Sequence, residues 1–111
     1  MSLFLETYTI PHDIPAPALV RGLRQVNRGT EVTMLRCGYS LSDGVMWCVT
    51  DAPSEEALRR AVLKMDFAFT LESVRLVDSP DAVDRMPGLD AVFDPRETRP
   101  SDVSEPASRP R

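Results

Sequence analysis

The sequence predicts an α+β fold, a ferredoxin-like βαββαβ unit with a four-stranded antiparallel sheet over residues 1–77. Two observations carry this. Runs of aromatic and β-branched residues alternate with segments of helical period, in the order strand, helix, strand, strand, helix, strand. An Asp43-Gly44 turn joins the second and third strands, as expected of a hairpin. A third observation sets the limit of the domain. Six of the ten prolines lie in residues 78–111, beside many Asp, Ser and Arg. Such a segment buries too little apolar surface to offset its ordering entropy, so a disordered, Pro-rich, acidic tail is expected there.

Leu3 to Ile10 reads as the first strand, ended by Pro11. Asp13 can cap the helix that follows, and Pro15 suits its first turn. Leu19, Leu23 and Val26 share a face of that helix, and Gly29 is a stop. Val32 to Tyr39 is the second strand, Leu41-Ser42-Asp43-Gly44 the turn, and Val45 to Thr50 the third strand. The second helix opens at Pro53, with Ser54 or Asp51 near its cap and Leu58, Ala61, Val62 and Met65 as its apolar stripe. Glu55–Arg59 and Glu56–Arg60 are i,i+4 pairs of favourable polarity, worth roughly 0.2–0.5 kcal/mol each. Thr70 to Val77 is the fourth strand. In the tail only Met86, Leu89, Val92 and Phe93 form a cluster able to dock.

The usual sheet order for this pattern is 4-1-3-2, with both helices on one face. These strands are apolar on both faces, however. The first sets Leu3 and Leu5 against Phe4, Tyr8 and Ile10. The second sets Leu35, Cys37 and Tyr39 against Val32 and Met34. The third sets Val45, Trp47 and Val49 against Met46 and Cys48. A 77-residue domain is also small enough to gain from extra burial. Face-to-face packing of two sheets, a homodimeric α+β barrel, is therefore expected; a tail that covers the sheet of a monomer is the alternative.

Composition excludes several classes. The net charge is −4, and residues 1–77 carry eight basic and nine acidic side chains, so no nucleic-acid footprint is expected. No apolar run is long enough to cross a membrane, and no signal peptide is expected from MSLFLETYTI. Two cysteines without an export signal point to a reducing cytoplasm.

Glu6 is the anomaly, a carboxylate mid-strand between Phe4 and Tyr8. A buried carboxylate must pair or take up a proton. Arg36 on the second strand or Arg75 on the fourth is the expected partner. With Tyr8 and Trp47 these make the candidate ligand-binding set: Glu6, Tyr8, Arg36, Trp47 and Arg75. Glu6 and Tyr8 are the candidate acid–base pair, should the protein be an enzyme. His12, the single histidine, with Cys37 and Cys48, is the candidate metal set. A four-residue hairpin loop would place the two cysteines opposite each other, as soft-metal donors or as two buried small residues.

The segments Leu3-Phe4-Leu5-Glu6-Thr7-Tyr8-Thr9-Ile10-Pro11 and Trp47-Cys48-Val49-Thr50-Asp51-Ala52-Pro53-Ser54-Glu55-Glu56-Ala57, with Val74-Arg75-Leu76-Val77, resemble a bacterial domain-of-unknown-function family. That family is known for a nickel-binding protein of ferredoxin-like fold. The resemblance implies a ferredoxin-like dimer and, in some members, nickel held by histidines near the end of the first strand and in the second helix. This chain has Tyr8 and Val62 there, so metal binding reduced or lost is the expectation, and no cofactor is required.

Three functions follow. The first is a small-ligand-binding homodimer with nickel as the family's implied metal. The second is a dimeric-barrel enzyme, a small isomerase, cyclase or cofactor-free monooxygenase, using Glu6 and Tyr8. The third is a regulatory or scaffold protein acting through its tail.

Overall fold

A computed structural model of the chain describes residues 2–11, 13–26, 31–64 and 69–96. The elements run β1 (Ser2–Thr9), α1 (Ala16–Val26), β2 (Thr33–Ser40), β3 (Val45–Ala52), α2 (Glu55–Lys64), β4 (Thr70–Val77), a 3-10 turn (Pro80–Arg85) and β5 (Ala91–Phe93). They form an α+β fold with one antiparallel sheet in the order β4-β1-β3-β2-β5. The first four strands follow the expected order. The expected count of four is corrected to five, because Ala91-Val92-Phe93 pairs with the open edge of β2. No helix among the described residues is long and apolar enough to cross a membrane.

Local chemistry explains the elements. Ser54 caps α2: its Oγ accepts from Ala57 N at 3.0 Å, and its carbonyl accepts from Leu58 N at 3.1 Å. Ala57, Leu58 and Ala61 are buried beneath α2. Helix α1 starts later than an Asp13 cap would require, with the Pro15 carbonyl accepting from Leu19 N. Its buried stripe is Leu19, Val20 and Leu23. The hairpin turn closes from Gly44 N to Leu41 O at 3.2 Å, and Gly44 supplies the positive φ of 67° that the turn needs. Gly29 and Met65, and the side chain of Val26, lie outside the described residues.

The sheet has two covered faces. On one, α1 and α2 pack over Phe4, Tyr8, Ile10, Met34, Cys37, Tyr39, Met46, Cys48 and Ala52. Met34 joins Cys37 and Tyr39 there, which strict alternation forbids. The cause is a β-bulge between Met34 and Arg36. One extra residue, Leu35, inverts the alternation, so the expected opposition of Met34 to Cys37 and Tyr39 is corrected.

On the other face, Ala82 and Val83 of the 3-10 turn bury Leu5 and Val49, flanked by Leu3, Trp47, Val77, Met86 and Val92. Residues that argued for a second sheet are thus covered by the same chain. Residue 77, expected as the domain boundary, falls inside the structured part, and residues 97–111 lie outside the described ones. Polar contacts order the covering segment and tie it to β2 and the turn after it. Ser79 Oγ caps its turn by accepting from Asp81 N, and Arg36 grips Asp84 through Nε–Oδ1 and Nη2–Oδ2. Asp90 N donates to Tyr39 O at 2.7 Å, and Asp90 Oδ2 accepts from Leu41 N at 2.8 Å. Phe93 meets Tyr39 edge-on, with centroids 6.4 Å apart.

Candidate functional site

The candidate residues divide between the two faces. Glu6, Tyr8, Cys37 and Cys48 lie on the helix-covered face; Arg36, Trp47 and Arg75 lie on the other, as the strand registers require.

Glu6 is wholly buried, opposite Cys48 on β3 and Val74 on β4. Tyr8, two residues along the same face, donates its hydroxyl hydrogen to Glu6 Oε1 at 2.9 Å. Glu6 Oε2 and Thr50 Oγ1 are both buried without a hydrogen bond, although the Thr50 hydroxyl is near enough to favour a charge on Glu6. Burial dominates: it lifts the Glu6 pKa from 4.5 to about 7, against the opposing pull of Tyr8 and Thr50. At neutral pH the carboxyl is therefore balanced between its protonated and charged forms. Burial, and then the neighbouring Glu6, push the Tyr8 phenol far up as well.

The expected arginine partners are corrected. Arg75 sits opposite Leu5, one residue away from Glu6's partner Val74, and so faces away from the carboxyl. The bulge carries Arg36 to the same far face, where Asp84 takes it in a bidentate pair and raises its pKa. No described cation forms an ion pair with Glu6.

Cys37 and Cys48 lie directly opposite each other, both buried thiols. Burial, then a thiol hydrogen bond with Cys37, holds the Cys48 pKa well above its ordinary value. Without a metal, both sulfurs therefore stay protonated thiols. Among the described residues no group of three His, Cys, Asp or Glu is placed to hold a metal ion. His12 lies outside the described residues.

The far face holds a cleft of about 480 Å³ between the end of β4 and the 3-10 turn, lined by Arg75, Leu76, Val77, Asp78, Ser79, Ala82, Arg85 and Met86. That volume is in the range of small-ligand sites. Its chemistry is two-sided. Val77, Ala82 and Met86 belong to the apolar cluster beneath, whereas Arg75 and Arg85 are exposed. Arg36, Arg59, Arg60 and Arg96 each have a carboxylate partner, but neither Arg75 nor Arg85 forms an ion pair with a described residue. Sequence reasoning found Arg75 and missed Arg85, Ala82 and Ser79. Their only signal was the apolar cluster of Met86, Leu89, Val92 and Phe93, because the prolines around it read as disorder.

Comparison with family models, with curated proteins and with solved structures returns no match.

Proposed function

We propose that the chain is a small-ligand-binding protein, that its site is the cleft between β4 and the 3-10 turn, and that its ligand is a small apolar carboxylate. One observation carries this reading: two exposed guanidiniums, Arg75 and Arg85, neither in an ion pair with a described residue, stand over an apolar floor. An apolar body would lie on Val77, Ala82 and Met86, and its carboxylate would take charge-assisted hydrogen bonds from Arg75 and Arg85. Asp78 on the same wall leaves the cleft one net positive charge, which suits a monoanion better than a phosphate. The frame is the ferredoxin-like unit expected from the sequence, with a fifth strand added, and nickel has no part in the proposal.

The alternative, acid–base chemistry by Glu6 and Tyr8, draws on the raised pKa of Glu6. Both side chains have no exposed surface, so a substrate would have to enter the core to meet them. The cleft requires no such opening.

Trp47, the single tryptophan, packs on the same apolar cluster as Met86 and so reports on the cleft. Titration with octanoate should give a saturable change in its fluorescence. Arg85→Gln should weaken binding by about tenfold or more, since a hydrogen bond to a charged group is worth roughly 1.5–3 kcal/mol. Absence of saturation, or equal binding of octylammonium, would exclude the site.

A further inference from the structure

We propose that β4 is the edge through which two copies of this chain pair, giving one continuous sheet across a two-fold axis at Val74. The proposal shares Arg75 with the cleft but does not depend on what the cleft binds.

Strand β4 is the long open edge of the sheet. Its inner side pairs with β1 along Thr70–Val77, and no described strand lies on its outer side. The opposite edge, β5, is only three residues long, the kind of short edge that discourages further pairing. Strand β4 has neither proline nor lysine, and Leu76 is 68% exposed.

The side chains of β4 are self-complementary. Against β1, Ser73 pairs with Thr7 and Leu71 with Tyr8, so Glu72 is the extra residue of a bulge in which Glu72 and Ser73 together span one position. Thr9 Oγ1 donates to Glu72 Oε2 at 2.8 Å, and Arg75 stands opposite Leu5, which puts Glu72 and Arg75 on the same face. Leu71 and Leu76, opposite Tyr8 and Phe4, share the other face. Now let a second copy run antiparallel along the outer edge with Val74 opposite itself and the Glu72–Ser73 bulge of each copy opposite Arg75 of the other. Glu72 then meets Arg75 of the second copy, Leu71 meets its Leu76, and Thr70 meets its Val77. Each contact occurs twice, as an isologous interface requires. Faces match at every pair, because the bulge supplies the one-residue offset that an unbroken strand would lack.

Charge complementarity selects this occupant. Neither Glu72 nor Arg75 forms an ion pair with a described residue of its own chain. Charged residues on an edge normally repel a stray strand. Here they are opposite in sign and placed symmetrically about Val74, so what opposes a generic partner fits a second copy. Arg75 has five N–H donors, enough to hold Glu72 of the second copy and still line the cleft.

Sedimentation of the full chain without ligand tests this, with far-UV circular dichroism to confirm folding. The parent should show a concentration-dependent mass approaching twice 12.4 kDa at high micromolar concentration. Glu72→Arg and Arg75→Glu should each give a folded monomer, and the two together should restore the dimer. Leu76→Lys, at an exposed position that the fold does not need, should also give a folded monomer. A parent that stays monomeric, a dimer that survives Leu76→Lys, or a folded double variant that stays monomeric would overturn the proposal. So would binding of an extended foreign peptide along β4 by a chain that never self-associates. Octanoate binding by a monomeric chain would leave the cleft reading standing while this one falls.

Discussion

At the scale of single residues, Glu6 decides how stability depends on pH. Its folded pKa of about 7 lies above the unfolded value near 4.5. Between them the folded chain binds a proton that the unfolded chain has released, so stability falls as pH rises through this window. Below it both states are protonated and Glu6 costs nothing; above it the penalty is complete, about 3 kcal/mol at roughly 1.4 kcal/mol per pKa unit. The variant Glu6→Gln keeps the acceptor for Tyr8 and offers an amide N–H toward Thr50 Oγ1, yet cannot ionise. Urea melts should show it near the parent at pH 4.5, and more stable by about 2–3 kcal/mol at pH 8. A pH-independent difference, or a variant less stable at pH 8, would mean the carboxylate is paired after all. The anomaly was legible, because a carboxylate between Phe4 and Tyr8 on a central strand has to be buried. That no described arginine pairs with it was not. Whether Arg75 faces Glu6 or Leu5 depends on which residue of β4 stands opposite each residue of β1, and no local pattern encodes that.

At the scale of elements, the hairpin and both helices were legible because their signals are local: Asp43-Gly44 for the turn, Ser54 for a cap, apolar stripes for the buried faces. The bulge in β2 was not, since an extra residue is visible only once a partner strand counts it. Its effect is large. With Met34 turned inward, plain alternation would carry Arg36 into the core and Cys37 out of it; Leu35 reverses both. Gly38 makes a further close fit on the far face. A Cβ there would stand 2.8 Å from Val83 Cγ1 and 3.0 Å from Leu89 Cδ2, so the covering segment rests directly on its backbone. The variant Gly38→Ala should lose about 1–3 kcal/mol through overpacking, read as a lower urea midpoint. By contrast, a Cβ at Gly22 on α1 meets nothing within 4 Å. There alanine should gain about 0.5–1 kcal/mol from helix propensity. Equal effects at the two positions would show that the segment does not press on β2.

At the scale of the whole molecule, the architecture was legible through the first four strands and then lost. Proline-rich composition argued for a tail, while the fold needed only a few apolar side chains from it. Ala82, Val83, Met86, Val92 and Phe93 are spread thinly among prolines and acids, without periodicity. They become a core layer because β2 leaves an edge open and Leu5 and Val49 leave a face open. A chain ended after Ser79 should therefore lose its cooperative thermal melt, since each large side chain left uncovered forfeits about 1.5–3 kcal/mol. A chain ended after Arg96 keeps every contact described above and should melt cooperatively. An intact melt in the shorter chain would return the boundary to residue 77. The same layout governs the order of events during synthesis. Strand β1 is made before both of its neighbours, β3 and β4, and before the cover over Leu5. Until residues 80–93 emerge, the nascent chain presents an apolar sheet face and two unpaired edges, the surfaces from which aggregates grow and to which chaperones bind. Residues 80–93, made after the four strands they complete, thus decide whether that sheet stays soluble while it waits.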